Sequence, residues 1–128
     1  MLLLDTHVFL WLVDRQADLS AKAVRAIGQN PGRIFISSIT GFEIAVKAER
    51  GALELPLPPI AWTRTALARH GIDEIPVTCE IGALAASLPK IHRDPCDRII
   101  IATAQLRNLT LWTKDATIAK YPDVTTAW

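Results

Sequence analysis

The sequence predicts an α/β fold in which helices cover a mostly parallel central sheet of four to five strands. Three observations carry this. Short apolar runs such as Leu2-Leu3-Leu4 and Ile34-Phe35-Ile36 lack alternation, as strands buried on both faces do. Longer breaker-free stretches between them begin at Ser, Thr or Asp and end at Gly, as crossover helices do. The two kinds of segment alternate throughout, which favours parallel pairing. With 128 residues, 50% of them hydrophobic, the chain is expected to be one domain, residues 1–128.

Leu2 to Leu4 is the first strand, and Asp5 emerges at its C-terminal edge. Thr6 to Val13 follows as a helix, carrying Val8, Phe9, Trp11 and Leu12 without a breaker. A second helix runs from about Ser20, an N-cap residue, to Ile27, and Asn30-Pro31 within Gly28 to Gly32 closes it. Ile34 to Ile36 is the next strand; Ser37, Ser38 and Thr40 all offer caps for a helix reaching about Arg50, where Gly51 stops it. Pro56, Pro58 and Pro59 prevent continuation, so Ile60 to His70 is a separate helix ended by Gly71 before the strand Ile72 to Pro76. A helix near Glu80 to Ser87 comes next. Pro95, at a first helical position where its missing N–H costs nothing, starts a helix through Arg107. Leu109 to Thr113 is a strand, a short helix follows Asp115, and Val124 to Ala127 is an edge strand.

Composition narrows the function classes. A net charge of +1 leaves no global basic footprint, so any contact with nucleic acid must be local. Cys79 and Cys96 lie far apart with no zinc-ligand spacing and read as reduced thiols. The first residues lack a basic leader, and Asp5 cuts the apolar run short of a membrane span; a soluble, cytoplasmic protein is expected.

Right-handed crossovers bring the C-terminal ends of all the strands to one edge, where open α/β sheets bind ligands. Asp5 and Asp115 are placed at that edge, and Glu43 and Asp97 in the first turns of helices that start there. Each has a structural reading. Asp5 suits an N-cap; Thr40-Gly41-Phe42-Glu43 matches a capping box, and Glu43 can pair with Lys47. Asp97 can favour the helix dipole with Asp94 as N-cap, and Asp115 can open a turn. Together they carry a cost that separate caps do not explain, since carboxylates about 4 Å apart repel by roughly 4 kcal/mol at an effective dielectric near 20. A hard divalent cation reverses the sign, and carboxylates holding one are suited to phosphodiester cleavage. Of the histidines, His70 and His92 read as structural, and His7 beside Asp5 as ambiguous.

The ordered set Leu3-Leu4-Asp5-Thr6-His7, Ser37 through Glu43 to Gly51-Ala52-Leu53, His92 through Arg98, and Thr113-Lys114-Asp115 resembles the PIN-domain family, and within it the VapC-type toxins. The resemblance spans the whole chain. It implies a three-layer α/β/α sandwich and an endoribonuclease dependent on Mg²⁺ or Mn²⁺ that leaves 5′-phosphate and 3′-hydroxyl ends. Asp5, Glu43, Asp97 and Asp115 match the family's catalytic, metal-holding acids, with Thr6, Ser37 and Thr113 in support. Lys47, Arg50, Arg93, Arg98 and Lys114 flank them as cations for RNA. The family further implies a homodimer, a higher assembly with a VapB-type antitoxin, and contact with DNA only through that antitoxin. Cys96 departs from the pattern, standing where relatives often carry an aromatic residue. Two alternatives differ in kind. A PIN-like binding module without catalysis would typically lack part of the acidic set. A haloacid-dehalogenase-like phosphatase would need an acid where His7 stands.

Overall fold

Alternation of side chains along very short strands organises the molecule, seen in a computed structural model describing residues 1–128. The strands Leu2–Leu4 (β1), Ile34–Ser37 (β2), Asp73–Ile75 (β3), Thr110–Trp112 (β4) and Thr125–Ala127 (β5) form one sheet of order β3-β2-β1-β4-β5. Every pair is parallel. Leu2 and Leu4 point to one face, with Ile34, Ile36 and Trp112, while Leu3 points to the other, with Leu111. Each face therefore needs a cover, which explains the unalternating apolar runs.

The helices are Thr6–Asp14 (α1), Ala21–Gly28 (α2), Ile39–Glu49 (α3), Pro59–His70 (α4), Cys79–Ser87 (α5) and Pro95–Arg107 (α6). One core joins Val8 and Phe9 of α1, Ala23 of α2, Ile44 of α3 and Trp62 of α4 to the first face. The other joins Ile81 and Ala85 of α5 and Ile100, Ile101 and Ala104 of α6 to the second. This is a three-layer α/β/α sandwich with a five-stranded parallel sheet. Leu3, Leu4 and Leu111 have no exposure at all, and truncating any of them to Ala should cost about 2–5 kcal/mol.

Most helix starts follow the expected capping chemistry. Ser20 Oγ accepts from Ala23 N at 3.0 Å, Thr78 Oγ1 from Ile81 N at 3.2 Å, and Asp94 Oδ1 from Cys96 N at 2.9 Å. Gly51 and Gly71 end their helices in the left-handed region, at φ 74° and 63°. The short helix expected after Asp115 forms as a single 3₁₀ turn, Ile118–Lys120. One expectation is corrected. The capping box at Thr40 does not form, because α3 already starts at Ile39 and Thr40 is buried one residue inside it. Its neighbour Ser38 instead accepts from Val77 N at 3.0 Å, tying the β2–α3 junction to the end of β3. No helix is long and apolar enough to cross a membrane.

Candidate metal centre

β2 and β4 leave β1 on opposite sides, so the strand order reverses beside β1 and opens a crevice at the C-terminal edge. Asp5 sits there. It caps α1, Oδ1 accepting from Val8 N at 2.8 Å, and is only 6% exposed. Burial raises its pKa, against the lowering effect of the Thr113 hydroxyl and the Val8 N–H.

Glu43 reaches the crevice from the start of the second turn of α3, two positions further into the helix than a capping box on Thr40 would put it. Thr6 Oγ1 donates to Glu43 Oε1 at 2.6 Å, and Thr40 Oγ1 lies 3.0 Å from Thr6 Oγ1. A hydroxyl has one proton, so Thr40 must donate to Thr6 while Thr6 donates to Glu43. This buried relay aims the carboxylate, whose pKa is raised by burial despite the Thr6 bond.

Asp97, in the first turn of α6, is the hub. Carboxylate oxygens of Glu43, Asp94 and Asp97 lie within 4.8 Å of one another, as do donor atoms of His92, Asp97 and Asp115. Asp97 belongs to both groups. Burial first, then the charges of Asp94 and Glu43, push its pKa up to about 7. Asp5 belongs to neither close group, but it lines a cavity of about 270 Å³ with Asp97, Asp115 and Lys114. Glu43 and Asp94 line another of about 300 Å³ with Lys47 and Arg50. Asp115 stands apart electrostatically: burial would raise its pKa, but the Thr117 N–H and His92 hold it below the usual value.

Two members of the site were read from sequence as structural. Asp94 is the N-cap of α6 as expected, yet its carboxylate also joins Glu43 and Asp97. His92 places Nε2 at 3.0 Å from Asp97 Oδ2 and 3.1 Å from Asp115 Oδ2. Its Nδ1 accepts from Asp94 N at 3.1 Å, which leaves the ring proton on Nε2, between the two carboxylates. The Tyr121 hydroxyl accepts from His92 N at 2.7 Å and fixes the loop. The available signal was the order His92, Asp94, Asp97, three polar residues around a helix start.

One expected RNA cation also serves the fold. Arg98 donates to the carbonyls of Ala85, Leu88 and Pro89 at 2.8 to 2.9 Å, capping the end of α5, which fixes its half-buried guanidinium in place. Lys47, Arg50 and Lys114 make no ion pair, and Lys114 Nζ lies 6.0 Å from the Trp11 ring centroid. Ser37 is buried, accepting from Ile39 N at 3.2 Å. Burial pushes the Cys96 thiol up to about 11, so it stays protonated. His7 is exposed beside Trp11.

The donor set is hard: four of the five close groups are carboxylates, and burial, reinforced by their crowding, raises the pKa of the central one. Such a cluster can bind a divalent metal ion, which would relieve the repulsion.

The chain matches the PIN domain family over residues 2–124. It is 33% identical over 129 residues to "Ribonuclease VapC22" of Mycobacterium tuberculosis (strain ATCC 25618 / H37Rv), covering 98% of this chain and 97% of that protein. Among solved structures it is similar to a toxin–antitoxin complex from Klebsiella pneumoniae, with TM-score 0.68 and 27% identity over 100% of this chain and 98% of the other. VapBC2 from Rickettsia felis, bound to a DNA fragment from its promoter, shares the fold at TM-score 0.73 and 16% identity, covering 98% and 96%.

Proposed function

The chain belongs to the PIN-domain family, and from that premise we propose that it is the endoribonuclease toxin of a toxin–antitoxin pair. It hydrolyses RNA phosphodiester bonds to 5′-phosphate and 3′-hydroxyl ends and so arrests growth in the cytoplasm. Residues 1–128 act as one catalytic domain. The observation that carries the reading is the hub at Asp97, whose carboxylate is shared by two close donor groups.

Asp97, Glu43 and Asp94 would hold a Mg²⁺ or Mn²⁺ ion, with Asp5 and Asp115 lining the same crevice. Such an ion, when bound, supplies Lewis acidity toward a phosphoryl oxygen and offsets the negative charge of the site. The rest falls to the chain's own groups. The Thr40–Thr6 relay orients Glu43. The Nε2–H of His92 spans Asp97 and Asp115 and sets their separation, while the Thr113 hydroxyl accepts from Asp115 N at 3.0 Å and shapes the turn that carries it. Lys47, Arg50 and Lys114, unpaired at the rims, attract the RNA backbone.

The family and the toxin–antitoxin complexes among the similar structures support the proposed partners: a VapB-type antitoxin whose segment fills the crevice, a second copy in a homodimer, and DNA reached only through the antitoxin. The test is cleavage of labelled cellular RNA by purified protein with Mn²⁺ or Mg²⁺, beside EDTA and Asp97→Asn controls. Discrete products absent from both controls are expected. RNA left intact with both metals, by folded protein free of antitoxin, would refute the nuclease and favour a binding module.

A further inference from the structure

A cavity of about 540 Å³ is lined by Ala86, Lys90, His92, Arg93 and Arg98. No acid lines it. Lys90, Arg93 and Arg98 make no ion pair anywhere in the molecule. The bonds that hold Arg98 go to neutral carbonyls and the Tyr121 hydroxyl, so they fix the guanidinium without cancelling its charge. Three uncompensated cations around one cavity are a local departure in a chain whose net charge is only +1. His92 is the shared wall: its Nε2 faces Asp97 and Asp115, and the same residue lines the basic cavity.

From this juxtaposition we propose that the cavity is a second phosphate subsite, holding a backbone phosphate of the RNA strand that flanks the bond being cut. This deepens the nuclease reading and rests on it. A strand crossing the His92 wall meets alternating demands that suit a polyanion: metal-compensated carboxylates on one side, fixed positive charge on the other. Arg98, anchored by carbonyls at the end of α5, offers one cation held in place, while Lys90 and Arg93 are exposed and adapt to the strand. Recognition of this kind is independent of base sequence.

The test compares the full-length protein with the double variant Lys90→Gln/Arg93→Gln, the conservative Lys90→Arg/Arg93→Lys, and a control, Arg64→Gln/Arg69→Gln, on α4 outside the cavity. Binding of a fluorescent single-stranded oligoribonucleotide is measured against salt concentration, and cleavage with Mn²⁺ is measured in parallel. Removing one cation that pairs with a phosphate should flatten the log–log salt dependence by about 0.7. The double variant should therefore flatten it by about 1.4 and raise KM about tenfold with kcat within twofold, while the conservative pair and the control keep the parent values. Parent-like slope and KM in the double variant, with the parent cleaving RNA, would overturn the subsite and leave the nuclease standing. The same result accompanied by loss of inhibition by the antitoxin would also overturn it, assigning the cavity to a protein partner. A parent that neither binds nor cuts RNA would sink the nuclease reading itself.

Discussion

Asparagine at position 97 should make the metal-free protein more stable at neutral pH, and the structure sets the size of the effect. The Asp97 side chain is one-fifth exposed, at 20%, and its pKa stands at about 7 against an ordinary 3.8. An acid whose folded pKa exceeds its unfolded value binds more protons when folded. Stability is therefore greatest below about pH 4 as far as this group is concerned, falls as the pH rises, and is fully reduced above about pH 7. At about 1.4 kcal/mol per pH unit, the gap corresponds to about 4 kcal/mol as an upper bound. Losing a first-turn acid from α6 subtracts roughly 0.3–1 kcal/mol, and removing its pairing with His92 subtracts a similar amount. A net gain of about 2 kcal/mol at pH 7.5 remains, a rise in Tm of several degrees. Urea unfolding of wild type and Asp97→Asn in EDTA, from pH 4.5 to pH 8, is the assay. The two stabilities should diverge in favour of the variant as the pH rises, and the variant should neither bind Mn²⁺ tightly nor cleave RNA. A variant less stable than wild type at pH 7.5, or a difference independent of pH, would refute the electrostatic account and return Asp97 to a dipole-favouring role.

Thr6→Val removes the donor to Glu43 while keeping the shape, and should weaken Mn²⁺ binding about tenfold by calorimetry, in line with the loss of an outer partner of a metal ligand; unchanged affinity would show that the relay does not orient a ligand. His92→Ala should weaken Mn²⁺ binding by a similar factor, about tenfold, with His92→Gln recovering part of it, because an amide N–H can still reach the carboxylates. Equal loss in both variants would mean that the ring acts through packing alone. Arg98→Met should lower stability by about 3 kcal/mol, since three carbonyls at the end of α5 lose a charged donor; a variant of unchanged stability would show that these bonds do not anchor the end of α5.

The elements were legible because each rests on local chemistry. Leu3 and Leu111 had to be strand residues buried on the second face, since an unalternating apolar run demands two covers. Pro95 marked the start of α6, and Gly51 and Gly71 the ends of α3 and α4, through backbone restrictions that act within a few residues. Asp5, Asp97 and Asp115 were also placed at the right edge, because topology sends every strand of a parallel sheet to the same side. Thr40 misled for the same reason that the others succeeded. Its spacing to Glu43 is that of a capping box, but the helix begins two residues earlier than such a box requires, and the acid turns to a threonine 37 positions away.

The alternation of strand and helix, the helix boundaries and the gathering of acids at one sheet edge follow from steric and hydrophobic rules that act along the chain. How the acids share that edge came from packing in three dimensions: Asp97 as hub, Asp94 beside Glu43, His92 between Asp97 and Asp115, and Arg98 turned to the carbonyls at the end of α5. Hydrogen bonds form only within a few ångströms and charge–charge repulsion is strongest there, and which side chains come that close is set by the packing of α3 and α6 against the sheet rather than by any spacing along the chain.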